Sequence, residues 1–538
     1  MKTDELQTRW REESHQVIAA IVAWREEHPT ATFQEIESAI DDCLARLRAH
    51  MLEDAALASD VADLRDKPAQ KRPPCPVCGT PVKHHARDKR TLLTQHNQQV
   101  TLERSYAVCP KCGETFFPLD EELALLPGPL TPSIQKAVTR LGARLPFPQA
   151  EDELHAMWQV DISATTVRRQ AETAGAAYVA VQTAQVDRLE RELPPSPPGP
   201  DLQQMSVDGA MVPLLHKQWG EVRTLALGVV ERPVIKNGEV EVHTGQLSYF
   251  SRLCDAETFT RLATVETHRR GTETAGKVCA VADGAEWEQG FVDVQRSDAV
   301  RILDFSHAAE HVSAAGQVVY GEGTDAFQQW FTAERHELKH GQPQTVIADV
   351  RRLGESDAGG ETGRAIIDGA AAYLEKRIEQ MRYAQFVAQG YPIGSGIVES
   401  GHKVVIEARL KGAGMHWAPE HVNPMSALRT IICSNRWDEE WPLICQQLRL
   451  TAREDSRERR RQRQTKDAQA HAQAMLAQPI GQTVTDTPTP SHPGRVQQTE
   501  PEPSANSPKR PGANHPWRHS PVGRARYQRS QQAAAQKT

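Results

Sequence analysis

Apolar residues recur at helical spacing through residues 1–60. Ile36, Ile40, Cys43, Leu44, Leu47 and Met51 line one face. Thr32 and Glu35 precede that face in the T-x-x-E form of a capping box. A packed helical pair is predicted over 1–66. Lys67–Pro74 (KPAQKRPP) reads as linker. The pattern then becomes β-type over 71–120 and helical again over 131–180. Leu193–Asp201 (LPPSPPGPD) reads as a Pro-rich hinge, placing a linker at 190–202.

Beyond that hinge the periodicity changes. Met205–Leu215, Arg223–Val234 and Glu239–Arg252 are rich in Val, Leu, Thr and aromatic residues and predict three strands. A helix of about twenty residues is predicted from Ala256. KVCAVA (Lys277–Ala282) and AVRILDF (Ala299–Phe305) predict two more strands. Residues from about 306 to 390 read as helical. The order is β-β-β-α-β-α-β-α over 203–445. From 450 onward a charged helix runs into Pro/Ser/Gln/Thr-rich low complexity, so 450–538 is predicted to be a basic, largely disordered tail, with disorder from about Gln478.

Charge changes this picture in one respect. The chain has 538 residues and a net charge of -7. Thr451–Thr538 holds 15 basic and 7 acidic residues, a local +8, which leaves -15 on the rest. A basic tail on an acidic body suggests a polyanionic partner. No apolar run reaches the length of a membrane span. Residues 1–13 (MKTDELQTRWREE) lack the apolar core of a secretory signal. Nine cysteines, an odd number, do not form a disulfide framework, and the expected compartment is the reducing cytoplasm.

Four of those cysteines form two C-x-x-C-G pairs, Cys75/Cys78 and Cys109/Cys112. In each, the glycine relieves a tight turn, so both thiolates can face one ion. Four thiolates satisfy tetrahedral zinc with no position left for water, which predicts a structural Zn2+ in a zinc ribbon. His84 and His85 are weaker alternative ligands. Further on, Pro148–Gln159 is amphipathic, Val160-Asp161-Ile162 is a short turn, and Ser163 caps a second helix expected to end at Gly175. That is a helix-turn-helix layout. Its second helix would offer Thr165, Thr166, Arg168 and Arg169 to bases and phosphates of double-stranded DNA.

Three acids stand where metal chemistry would need them. Asp208 (MSVDGAMV) ends the first strand after the hinge, and Asp283 (VCAVADGAEW) ends the fourth. Glu399 (PIGSGIVESGHK) opens a helix after a Gly-rich turn. Such carboxylates can bind two Mg2+ ions, with Mn2+ as a substitute, for phosphodiester displacement. Asp304 and His307, in D-x-x-H spacing after the fifth strand, are supporting candidates.

From the knuckles to Trp441 the chain resembles the Kra family of bacterial insertion-sequence DDE transposases. The matching strings are VDGAMVPL, LSYFSRL, HRRGTETA, DGAEW, RILDFSHAAEH, YPIGSGIVES and ARLKGAGMHW. The resemblance implies an α+β / α/β multidomain protein: N-terminal helices, a zinc ribbon, a helix-turn-helix, an RNase H-like catalytic domain with a helical insertion at about 306–390, and a disordered C-terminal tail. It assigns the catalytic triad and Mg2+ ligands to Asp208, Asp283 and Glu399. It implies action on element ends and target DNA, as a homo-oligomer, in the bacterial cytoplasm near the nucleoid and away from membranes. Lys403, one turn after Glu399, is the supporting cation nearest the DNA-contacting position; Ile406 stands at the glutamate-plus-seven position. Two rivals follow from the same residues: an inactive DNA-binding regulator derived from a transposase, and a structure-specific nuclease of the same fold.

Overall fold

The computed structural model describes residues 3–236, 238–356 and 359–476. The chain divides into two units, Met1–Lys466 and Asp467–Thr538. Of the second, only 467–476 are described, so the predicted disorder from Gln478 onward lies outside the described residues. No helix among them is long and apolar enough to cross a membrane. The protein is mixed helix and sheet.

Two helices, α1 (Thr3–Glu27) and α2 (Phe33–Leu57), form the expected pair, and Thr32 with Glu35 makes both bonds of the capping box. A three-stranded sheet follows: β1 (Lys83–Leu93), β2 (Gln99–Val108) and the short β3 (Thr115–Phe116), in that order, with α3 (Pro118–Glu122) after it. Then come α4 (Pro132–Arg144), α5 (Phe147–Trp158) and α6 (Ala164–Glu192). Ser163 caps α6, its side chain accepting from Thr166 N.

Two expectations about this region need correction. Gly175 does not end the helix, which continues to Glu192. A Cβ at Gly175 would lie 2.3 Å from Pro424 O, so this glycine allows α6 to lie against α16 (Pro419–Cys433). The Pro-rich stretch is not a free hinge either. Gly276 N bonds Pro200 O at 2.9 Å, and Lys277 N bonds Asp201 O at 2.8 Å. Gly199 abuts Gly271 and Ala275 too closely for a Cβ. Proline and glycine here make an extended, packed segment.

The central sheet holds β4 (Leu202–Pro213), β5 (Trp219–Val230), β8 (Thr244–Leu253), β9 (Lys277–Ala282) and β10 (Val300–Leu303). The predicted strand Glu239–Arg252 is in fact two pieces. A small hairpin, β6 (Val234–Lys236) and β7 (Glu239–Glu241), leaves the sheet before β8 begins. The sheet order is β10-β9-β4-β5-β8. β4–β5 and β5–β8 are antiparallel, while β4–β9 and β9–β10 are parallel. One face packs on α7 (Ala256–Arg269) and α8 (Glu286–Gln295) through Phe250, Phe259 and Phe291. Around β9 and β10 lies a second core, built with the helical stretch α9 (Phe305–Tyr320), α10 (Asp325–His340), α11 (Pro343–Leu353), α12 (Gly360–Lys376) and α13 (Tyr383–Ala388). A third core joins α6, β4, β5 and α16 with α14 (Gly396–Gly401), α15 (Ala408–Leu410) and the first turns of α17 (Trp437–Leu476).

Candidate functional site

Each C-x-x-C-G pair closes a knuckle in the same way. Cys75 N bonds Thr80 O at 2.8 Å and Gly79 N bonds Cys75 O at 3.0 Å; Cys109 N to Glu114 O and Gly113 N to Cys109 O repeat this at 2.8 and 2.9 Å. The positive φ angles of Gly79 and Gly113 are what this turn requires. Sulfur separations are 3.6 Å (Cys75–Cys112), 3.4 Å (Cys78–Cys109) and 3.6 Å (Cys78–Cys112). A tetrahedron of sulfurs about 2.3 Å from a zinc ion has edges of about 3.8 Å. The four thiols therefore form a group that can hold a metal such as zinc. Neither histidine joins it: His84 Nδ1 faces Ser105 Oγ at 3.2 Å, and the His85 ring packs edge-on to Tyr106.

Asp208 and Asp283 are brought level by strand register. Met205 on β4 pairs with Ala280 on β9 in parallel. Three residues on, each chain reaches its aspartate. Gly284, at φ +86°, turns the chain sharply after Asp283. Asp208, Asp283 and Glu288 place carboxylate oxygens within 4.8 Å of one another. Glu288 lies in α8 and was not foreseen from sequence. Its Oε2 accepts from Gly284 N (3.0 Å) and Ala285 N (3.1 Å), which fixes the turn that carries Asp283. It is 1% exposed, and its Oε1 has no hydrogen-bond partner. Burial, then the neighbouring Asp283 and Asp208, pushes Glu288 up to about 10. Burial also raises Asp208, against the opposing pull of His402. Asp283 instead falls below its ordinary value: burial opposes this, but Glu288, the Ala285 amide and the charges of His307 and Arg377 outweigh it.

The helical stretch α9–α13 fastens the Asp283 turn from outside. Tyr373 OH donates to Asp283 O, and Arg377 Nη2 donates to Gly284 O at 2.6 Å. Arg377 also lies over the Tyr373 ring at 3.8 Å, and that ring stacks on His311 at 3.7 Å. His307 stands one helical turn before His311, its Nδ1 3.6 Å from Glu310 Oε2.

Asp304 is buried, at 4% exposed, and acts as a staple. Its Oδ1 caps α9 by accepting from His307 N (2.8 Å), and its Oδ2 accepts from Ser395 N (2.6 Å). Phe305 N to Ile393 O and Gln204 Nε2 to Gly394 O secure the same turn at 3.0 and 2.9 Å. That turn launches α14, which carries Glu399. The Glu399 side chain is exposed, accepts from Ser395 Oγ at 3.2 Å, and is not in the carboxylate group. From this helix it is His402 that reaches Asp208, Nδ1 to Oδ2 at 3.4 Å. Glu399 lies three residues earlier, on nearly the same helical face. Lys403 is exposed and has no bonded partner among the described residues.

Past Glu399 the helix widens to π-type turns over His402–Glu407. Such turns displace carbonyls from their usual partners. Arg429, from α16, donates to Val404 O and to Val405 O (3.4 Å), filling that deficit. Arg409 is 1% exposed, donates to Gly142 O at 3.1 Å and lies over the rings of Phe147 and Trp417. It ties this helix to α4 and so is not a solvent-facing cation.

No family model and no curated protein matches the chain. Its function must therefore be argued from the geometry of its own residues.

On the second helix of the turn, Thr165, Arg168 and Arg169 are exposed and Thr166 is half-buried, while Val167 packs inward. The turn before it is tied to the β1–β2 hairpin: His96 N bonds Trp158 O at 2.9 Å, and Asp161 N bonds Asn97 Oδ1 at 2.7 Å.

Proposed function

We propose that the protein is a DNA transposase of DDE type, which binds the ends of an insertion sequence and carries out Mg2+-dependent phosphodiester cleavage and strand transfer. The observation that carries this reading is the placement of Asp208, within β4, beside Asp283, which follows the last residue of the parallel neighbour β9. They stand in a five-stranded sheet ordered fifth-fourth-first-second-third. That order, with three antiparallel strands followed by two parallel ones, supports the RNase H-like reading. The resemblance to Kra-family strings points the same way.

The donor set suits a hard cation, being carboxylate oxygens with an unpartnered oxygen on Glu288. Asp208 and Asp283 would hold Mg2+, and Glu399 would join them by rotating its side chain from Ser395 toward the face it shares with His402. Bound Mg2+ supplies neutralisation of phosphate charge and activation of the attacking oxygen. The chain's own residues supply position. Asp304 and Gln204 set the turn before Glu399, and Glu288 and Arg377 set the turn after Asp283. The four cysteines are the site of a structural Zn2+ in a zinc ribbon. That ribbon, with the exposed Thr165, Arg168 and Arg169 and the half-buried Thr166, forms the DNA-recognition face.

The test is a cleavage and joining assay on duplexes carrying the element's own ends, with Mg2+ or Mn2+. Asp208→Asn, Asp283→Asn and Glu399→Gln should each abolish both steps. Glu407→Gln, whose residue pairs with Lys411 at 3.0 Å away from the group, should not. If Glu288→Gln abolishes catalysis while Glu399→Gln retains it, the third ligand is Glu288. Cleavage without joining indicates a nuclease. Binding without either, in wild type, indicates an inactive regulator.

A further inference from the structure

Leu448 is the last buried apolar residue of α17 among the described side chains, and the helix runs on to Leu476. From Leu448 to Ala470 it has no apolar stripe. A helix that is polar all round needs partners outside itself. One row finds them on the second knuckle and in and just after α3. Arg449 Nη1 donates to Ala124 O at 3.2 Å, and Arg453 Nε pairs with Glu121 Oε1 at 2.9 Å. Arg457 Nε reaches both Glu114 oxygens at 3.0 Å, and Arg460 donates to Gly113 O in the second knuckle. These positions recur at i, i+4, i+8 and i+11, so they share one face.

A second row has a different character. From Arg459 to Lys466 five residues are cationic and none is acidic. Arg459, Arg463 and Lys466 follow helical spacing on a face about 100° round from the first row. All three are exposed and have no hydrogen-bond or ion-pair partner among the described residues. Asp455 and Asp467 stand four residues from Arg459 and Arg463 without bonding them, and Glu458 accepts from Gln462. The first row fixes the direction in which this second row points.

We propose that Arg459, Arg463 and Lys466 form a binding surface for the phosphate backbone of duplex DNA beside the second knuckle. The proposal rests on the DNA-acting reading above and extends it to a helix outside the predicted recognition face. The row is about 10 Å long, a length over which a duplex presents about six phosphates. No base is read, so the contact is indifferent to sequence and sensitive to salt.

The experiment uses the full chain, a fluorescent duplex of about 40 base pairs of unrelated sequence, and anisotropy titrations from about 50 to 300 mM salt. The triple variant Arg459→Ala/Arg463→Ala/Lys466→Ala should bind about tenfold or more weakly at about 100 mM salt, and its log K against log salt slope should fall by about 2–3. Its thermal melt should match wild type, since the three side chains touch nothing. An unchanged slope and affinity overturns the surface and leaves the transposase reading standing. Failure of the wild-type protein to bind any duplex overturns both. Tighter binding of single-stranded RNA of equal length, lost in the same variant, overturns the choice of duplex DNA.

Discussion

Asp304 gives the most direct test of how the chain positions its carboxylates. The side chain is buried and accepts two backbone N–H bonds, from His307 at 2.8 Å and Ser395 at 2.6 Å. Hydrogen bonds to a charged group contribute about 1.5–3 kcal/mol each. Asp304→Ala loses both and leaves two buried N–H groups unpaired, so a loss of about 3–5 kcal/mol is expected. Asp304→Asn keeps one oxygen but turns an NH2 toward the other donor, and should cost about 2–3 kcal/mol. Urea denaturation followed by tryptophan fluorescence should rank wild type, Asn, Ala in falling midpoint with little change in slope. The same bonds hold the turn before Glu399, so under folding conditions Asp304→Asn should lower the cleavage rate more than it lowers affinity for end DNA. Two results would refute this reasoning. A wild-type urea midpoint for Asp304→Ala would show that the two bonds carry no stability. A wild-type midpoint with abolished cleavage would make Asp304 a participant in the chemistry and not a positioning residue.

The cysteine group should bind about one zinc per chain; metal analysis of Cys75→Ser or Cys109→Ser should find none, with loss of end-specific binding. Gly175→Ala sets a Cβ 2.3 Å from Pro424 O and should cost about 1–3 kcal/mol or more by prising α6 from α16, seen as a lowered melting temperature. Glu334, buried in α10, is raised by burial and by Asp349 and Glu337, from 4.5 to about 7. Its proton is kept in the folded state and lost in the unfolded state between those values, so stability should fall as pH rises from about 4.5 to 7. Glu334→Gln should flatten that fall, by at most about 3 kcal/mol, in melts taken at pH 5 and pH 8.

Short-range signals were legible in the sequence. Lys277–Ala282 is a strand to the residue, Ser163 caps its helix, and the paired C-x-x-C-G turns bring four thiols together. Asp208 does not end its strand as expected, because β4 runs on to Pro213 in its pairing with β5; it meets Asp283 because the parallel β9 stops beside it at Ala282. What was missed depends on distant partners. Gly175 looks like a helix stop until Pro424 is laid against it. Proline and glycine at 193–201 look the same whether solvated or pressed against Gly271. Glu288 does reach back to the start of its helix as a capping residue does, but Ala285 stands where a Ser or Thr would have advertised the motif.

The largest departure from the sequence reading concerns independence. The Pro-rich hinge predicted at 190–202 would set the helices around Arg168 apart from the central sheet. In the structure Ala171, Ala174 and Tyr178 of α6 share a core with Val212 of β4 and Ile406 after Glu399. Arg409 and Arg429, from the segment after Glu399 and from α16, donate to the Gly142 and Ala143 carbonyls of α4. Buried guanidinium groups bonded to carbonyls tolerate little displacement, because each shift leaves a charge without its acceptor. On the proposed reading, a movement of α4–α6 would be conveyed to the residues that follow Glu399. The π-type turns at His402–Glu407, braced by Arg429, are the place where such a movement would be felt first. On the proposed reading, a DNA end seated on α6 and the placement of the third carboxylate are linked through these two arginines, with no hinge between them.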